Sequence, residues 1–84
     1  MLVRFTGTDG CATCTQTIDF LKLRAIGMLK SEPTNESSYF VRLSFDNGDQ
    51  FMAKQNMTLA QAVAYRNLLE GYWLSHNTTS VTSV

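Results

Sequence analysis

The chain has 84 residues, and its seven lysines and arginines balance seven aspartates and glutamates, so its formal net charge at pH 7 is zero. A chain this short predicts one domain, because so small a core cannot be divided between two modules. No stretch approaches the roughly 20 apolar residues of a membrane helix, and no apolar run of signal-peptide length follows Met1. We therefore expect a cytoplasmic protein that makes no contact with a membrane.

Basic residues are scattered along the sequence and form no run. A surface that binds nucleic acid needs clustered positive charge to displace counterions from the phosphates. Nucleic-acid binding is therefore disfavoured. It would require folding to bring residues such as Arg42 and Lys54 together on one surface.

The N-terminal segment alternates between apolar and polar positions, with Val3 and Phe5 on one face and Arg4 between them. This period of two predicts a strand. Gly7 and Gly10 follow within five residues, and glycines at this spacing are typical of a turn. The strand is therefore expected to end before Gly7.

A helix is predicted next. Thr13 with Gln16 three residues later matches a capping box, the signature of a helix N-terminus. The helix would begin near residues 11–14 and end at Gly27, with Phe20 and Leu23 opposite its buried stripe. That stripe has helical spacing and consists of Cys14, Ile18, Leu21 and Ala25.

A hairpin is predicted in the middle of the chain. Residues 28–30 are either the end of the helix or a short strand, and residues 31–38 form a polar loop with the chain's one proline. Tyr39–Phe45 has the clearest strand pattern, and residues 46–48 are a turn into a strand over residues 50–54.

The register of this hairpin follows from its apolar pattern. A two-residue turn would mix polar and apolar residues on both faces of the hairpin. A three-residue loop with Gly48 in the left-handed conformation pairs Leu43 with Phe51 and Val41 with Ala53, which gives one continuous apolar face. We therefore predict the three-residue loop.

A second helix is predicted near the C-terminus. Thr58 and Gln61 form another capping box, and residues 59–70 contain no proline or glycine. Small residues at Ala60, Ala64 and Gly71 would let another helix approach one side closely. The wide apolar face comprises Leu59, Ala62, Tyr65, Leu68, Leu69, Tyr72 and Trp73.

These elements predict an α+β fold in the order β-α-(β)-β-β-α. A small antiparallel or mixed sheet would carry two helices packed on one face. Ser, Thr and Asn dominate from Ser75 onward. We therefore expect a compact domain over residues 1–74 and a flexible polar tail over residues 75–84.

Cys11 and Cys14 are the only cysteines, and they are too close in sequence to link distant parts of the chain. The expected state is a reduced dithiol. Unpaired N–H groups and the dipole at a helix N-terminus would lower a thiol pKa, so Cys11 could attack and Cys14 resolve. Alternatively, Cys14 is a small core residue and Cys11 has no role.

Residues 3–28 resemble the first strand-helix unit of the glutaredoxin and thioredoxin-like family, through the run from Phe5 to Cys14, FTGTDGCATC. The resemblance implies a thiol–disulfide protein in which Cys11 is the attacking thiol. A zinc site would need four ligands, and Cys11, Cys14 and His76 supply three at most. We therefore predict neither a metal nor a cofactor.

The remaining candidate chemistry is binding. Helix aromatic residues are either core residues or anchors for a partner. The second, outer face of the hairpin combines apolar with basic residues: Phe40, Arg42, Ser44, Met52 and Lys54. The leading prediction is a non-enzymatic module that docks on a larger protein, as an inhibitor or regulator of a host protein of the kind that phage-type open reading frames encode. A homodimer and a thiol–disulfide protein are the alternatives. The residues predicted to contact a protein are Phe40, Arg42, Met52, Lys54, Tyr65, Leu68, Tyr72 and Trp73.

Overall fold

The computed structural model describes residues 2–7, 13–75 and 81–83. In these ranges, six strands form two three-stranded sheets, in the spatial orders β2-β1-β6 and β3-β4-β5, and there is one α-helix. No helix in the described residues is long and apolar enough to cross a membrane. The elements are β1 (Leu2–Thr6), β2 (Thr15–Asp19), a 3-10 turn (Phe20–Lys22), β3 (Leu23–Lys30), β4 (Tyr39–Phe45), β5 (Gln50–Met57), α1 (Leu59–Leu74) and β6 (Val81–Ser83).

The prediction of two helices packed on one sheet is wrong, because the first of them is extended chain. β2 pairs antiparallel with β1, with Ile18 opposite Val3. Leu21, which the helical stripe placed in the core, is 66% exposed, whereas Phe20 is 2% exposed. β-branched residues are frequent in β2, and such residues favour strands.

β3 contains a bulge that brings two residues three positions apart to the same side of the strand. Leu23 and Ile26 are both buried, although residues three apart in a regular strand face opposite sides. The register with β4 shifts between Leu23 and Ala25, so Arg24 is an extra residue. The extra residue returns Ile26 to the core side, so Leu23 and Ile26 are both buried in extended chain.

The hairpin loop between β4 and β5 has the predicted form. Phe45 and Asp49 close it through the Phe45 N–H, which donates to the Asp49 carbonyl (3.0 Å). Gly48 has φ +90°, where a side chain would be strained. Leu43 lies opposite Phe51, as predicted, but Val41 lies opposite Lys54 instead of Ala53.

Two irregularities in β5 cause that difference. Arg42 pairs with Met52 and Val41 with Lys54, so Ala53 is an extra residue between them. A second shift follows between Lys54 and Met57, and there Asn56 has the left-handed φ of +59°. β5 is an edge strand, where bulges are common because they bend the strand and block pairing with another chain.

The two sheets and α1 share one hydrophobic core. Phe5 of β1 is fully buried, and its ring centroid lies 5.2 Å from that of Phe51 on β5 and 6.3 Å from that of Phe20. β1 therefore packs on the same face of the β3-β4-β5 sheet as α1. The buried residues are Val3, Phe5, Phe20, Leu23, Ile26, Val41, Leu43, Met57, Ala62 and Leu69.

α1 begins at the predicted capping box and runs to Leu74. The Thr58 hydroxyl oxygen accepts from the Gln61 N–H (3.3 Å), and the Gln61 side chain accepts from the Thr58 N–H (3.0 Å). Three residues of the predicted tail, Val81–Ser83, form β6 and pair in parallel with β1. These three residues therefore belong to a sheet, and the mobility of the tail stays a prediction.

Candidate protein-binding surface

α1 is apolar on nearly every side. Only two of its 16 residues are charged, and these two pair with each other, since Arg66 Nη1 lies 2.9 Å from Glu70 Oε2. A helix on the surface of a globular protein normally carries charged residues on the side that faces water, and a helix that is apolar all round is normally buried. α1 thus has the composition of a helix that is covered on both sides.

The side of α1 opposite its buried residues faces solvent. Ala62 and Leu69 are fully buried against the sheet, whereas Leu74 is 71% exposed. Four of the six large apolar residues that are exposed among the described residues lie on this helix, at Leu59, Val63, Leu68 and Leu74. We call the exposed, uncharged set opposite the core the outer face of α1: Ala60, Val63, Ala64, Asn67, Gly71 and Leu74.

A groove of about 480 Å³ lies between β5 and α1. Lys54 extends across it, and its Nζ is 5.4 Å from the centroid of the Tyr65 ring. Burial raises the pKa of Tyr65 to about 12, because desolvation disfavours the phenolate. The residues that line the groove are Lys54, Asn56, Met57, Gln61, Ala64, Tyr65 and Leu68.

The other face of the β3-β4-β5 sheet carries a separate apolar surface. Phe40 pairs with Leu29, and Arg42 lies between Gly27 and Met52. Phe40 and Arg42 are half-buried, and Met52 is exposed. These three predicted binding residues therefore lie together, with the sheet between them and α1.

The eight residues predicted to contact a protein do not form one surface. Lys54 was placed beside Arg42 on the outer face of the hairpin, but the bulge at Ala53 directs it toward α1, where it meets Tyr65 and Leu68. Tyr72 and Trp73 are half-buried and pack against the core, so their contact with a protein stays a prediction. The set is thus divided between the groove, the opposite face of the sheet and the core.

Sequence reasoning did not identify several residues of these surfaces. Asn56 and Met57 line the groove only because β5 is bulged, and a bulge has no distinct sequence signal here. Val63 and Leu74 lie on the outer face of α1, beside the small residues predicted to admit a second helix. The scarcity of charge in residues 59–74 was the sequence signal that could have identified this face.

Cys14 is exposed and disulfide-bonded, so it is neither the reduced thiol nor the core residue that the sequence predicted. The chain's other cysteine, Cys11, lies outside the described residues, as does His76. β2 begins at Thr15, so the helix that would lower a thiol pKa at this place is not formed. Within the described part of the chain, no three His, Cys, Asp or Glu side chains are grouped so that they could hold a metal ion.

The described residues therefore present two exposed apolar surfaces, on α1 and on the opposite face of the β3-β4-β5 sheet, and a groove between β5 and α1. Comparison of the chain with models of protein families, with curated proteins and with solved structures gives no match.

Proposed function

We propose that this chain is a non-enzymatic protein-binding module that covers an apolar surface of a larger protein with the outer face of α1. The observation that carries the proposal is the exposed and uncharged side of this helix. Apolar surface gains about 25 cal/mol for each Å² that is removed from water, and contiguous exposed apolar patches are typical of interaction sites. A partner that covered this side would bury the apolar residues of α1 that the chain's own core leaves exposed.

Small residues make the outer face suitable for close packing. Gly71 has open space around the position of a Cβ atom, and Ala60 and Ala64 are exposed on the same side. Val63 and Leu74 provide larger apolar groups at its margin. A partner helix or sheet could therefore approach the backbone of α1 and bury these two side chains.

A larger partner suits the molecule better than a second copy does. A two-fold dimer buries one self-complementary patch on each chain. The outer face of α1 and the apolar surface that contains Phe40 and Met52 lie on different sides of the β3-β4-β5 sheet, so one such dimer would leave one of them uncovered. In this proposal the chain acts in the cytoplasm, as an inhibitor or regulator of a host protein.

Thiol–disulfide exchange is the second candidate, because Cys14 is exposed and already in a disulfide. This candidate requires Cys11 and Cys14 for activity, whereas docking through α1 does not. Replacement of Cys14 by serine therefore separates the two functions. We expect the Cys14→Ser protein to bind its partner as the wild type does.

A photoreactive amino acid at position 63 tests the docking proposal in the cells that produce the chain. We expect the chain to form one reproducible crosslink to another protein. The same photoreactive amino acid at position 17, where Thr17 is exposed on β2, is the control and should not give this product. Mass spectrometry would identify the protein for purification. Val63→Asp should then weaken its binding at least about tenfold, because a buried charge replaces an apolar contact.

Two results would contradict the proposal. A crosslinked product with twice the mass of the chain, formed with no other protein, would indicate a homodimer. Equal affinity of the Val63→Asp and wild-type proteins for the purified partner would show that the outer face of α1 is not the binding surface. Thr17→Asp is the matched control for the added charge, and circular dichroism would confirm that each variant is folded.

A further inference from the structure

The groove between β5 and α1 contains an unbalanced positive charge. Among the described residues that line it, only Lys54 is charged. The ion pairs found in the described residues are Lys30 with Glu36 and Arg66 with Glu70, so neither neutralises Lys54. An ammonium group has three donors and no acceptor, and a carboxylate is its natural partner.

Tyr65 holds this charge at the groove. The face of an aromatic ring attracts a cation, and the Lys54 ammonium lies 5.4 Å from the ring centroid. The high pKa of Tyr65 reflects a poorly solvated environment beside the groove. Lys54 itself is exposed, so a carboxylate of a partner segment can reach its ammonium group from solvent.

The rest of the groove can accept apolar and amide groups. Met57, Leu68 and Ala64 supply apolar surface, and Asn56 and Gln61 supply side-chain amides. The volume of about 480 Å³ falls within the range of about 300–1,000 Å³ that is typical of small ligand sites. It suits a few side chains of an extended segment and is too small for a folded domain.

The backbone of β5 is shaped to form this groove. The extra residue Ala53 directs Lys54 toward α1, and Asn56, two residues before the helix cap at Thr58, adopts the left-handed conformation. Bulges and non-glycine residues with positive φ cost conformational free energy and are concentrated at functional sites. The irregular backbone of β5 therefore places the Lys54 charge at this groove.

We infer that this groove binds an extended segment of the partner protein in which an aspartate or glutamate lies close in sequence to a large apolar residue. The acidic side chain pairs with Lys54, and the apolar one packs on Leu68 and Met57. This inference rests on the proposed protein-binding function and explains part of the specificity with which the chain would choose its partner. The outer face of α1 supplies apolar contact area, while the groove selects for an acidic group.

Selection from a library of short random peptides, displayed on phage and exposed to the purified full chain, tests the inference. We expect the wild type to enrich peptides that combine Asp or Glu with a large apolar residue. Lys54→Glu should instead enrich Lys or Arg and keep the apolar preference, whereas Leu68→Ser should lose that preference. The control is Arg24→Glu, which makes the same reversal of charge at an exposed residue of β3. This variant should enrich the same peptides as the wild type.

The inference is overturned if the wild type enriches no peptides, or if the acidic residues persist in the Lys54→Glu selection. It is also overturned if a short oligothymidylate displaces the selected peptides, because the groove would then recognise phosphate. A synthetic selected peptide should bind Lys54→Glu at least about tenfold more weakly than the wild type. The selection uses only purified chain and peptides, so its failure is distinct from failure of the crosslink at Val63.

Discussion

Tyr65 combines three roles at one position of α1. Its ring packs against the core, its face contacts the Lys54 ammonium, and its hydroxyl is poorly solvated. Burial disfavours the phenolate, so the pKa of Tyr65 is raised to about 12 from the usual 10.0. The folded state therefore binds this proton more tightly than the unfolded state does.

The stability of the protein should fall in alkaline solution for this reason. The contribution of the neutral phenol is fully present below pH 10, the unfolded value, and is lost as the pH rises toward the folded value of about 12. Urea unfolding across this range should show a steeper loss of stability for the wild type than for Tyr65→Phe. The difference between their phenolate absorbance titrations reports Tyr65 alone and should have its midpoint near 12. A midpoint near 10 would show that the Tyr65 hydroxyl is not desolvated.

The side of the sheet on which Lys54 lies could not be predicted from the sequence pattern alone. Alternation along a regular strand correctly predicts that Val41 and Leu43 share the buried face, but it places Lys54 beside Arg42 on the opposite one. One extra residue in β5 reverses that assignment. The sequence identified Lys54 as a binding candidate. The residues that surround Lys54 depend on the bulge at Ala53, which the local sequence does not specify.

β5 is the element whose irregular backbone matters most for the proposed site. It ends in Asn56, at φ +59°, and Met57, which is buried, just before the Thr58 cap. Asparagine tolerates the left-handed region better than β-branched residues do. The residue type at position 56 should therefore control the stability of the junction between β5 and α1.

Asn56→Val should lower the free energy of unfolding by about 1–3 kcal/mol, because valine is strained at this φ. Asn56→Gly should be close to neutral, since glycine adopts positive φ readily. Gln55→Val is the matched control at the preceding exposed position and should change stability by less than about 0.5 kcal/mol. Urea denaturation measures all three, and equal effects of valine at positions 55 and 56 would argue against the left-handed backbone.

The segment between β1 and β4 shows why one predicted element was wrong. Thr13, Gln16 and a three-to-four-residue apolar spacing satisfy the local pattern of a helix start. Pairing of β2 with β1 and of β3 with β4 nevertheless makes this segment extended chain, and Leu21 of the predicted stripe is exposed. By contrast, α1 was predicted correctly because its cap and its apolar face agree over many turns.

At the scale of the whole molecule, burial joins the two sheets. Phe5 is 1% exposed and contacts Phe51 on the other sheet and Phe20 on the 3-10 turn. Because these contacts belong to one cluster that also includes α1, the two sheets should unfold together.

Phe5→Ala should lower the free energy of unfolding by about 3–5 kcal/mol, through lost burial and the cavity that remains. Phe40→Ala, at a half-buried position on the far face of the sheet, should cost less. Unfolding followed by far-ultraviolet and near-ultraviolet circular dichroism should give coincident transitions in the wild type. Two separate transitions would mean that the sheets do not share a cooperative core.

The sequence by itself determined the elements whose signals are local. The cap of α1, the strand Tyr39–Phe45 and the loop with Gly48 all follow from side-chain chemistry within a few residues. Tertiary structure decided the partners of residues 13–30, the position of Lys54 and the pairing of Val81–Ser83 with β1. These depend on hydrogen bonds and apolar contacts between distant segments, and such pairing can favour a strand in a segment whose local pattern favours a helix.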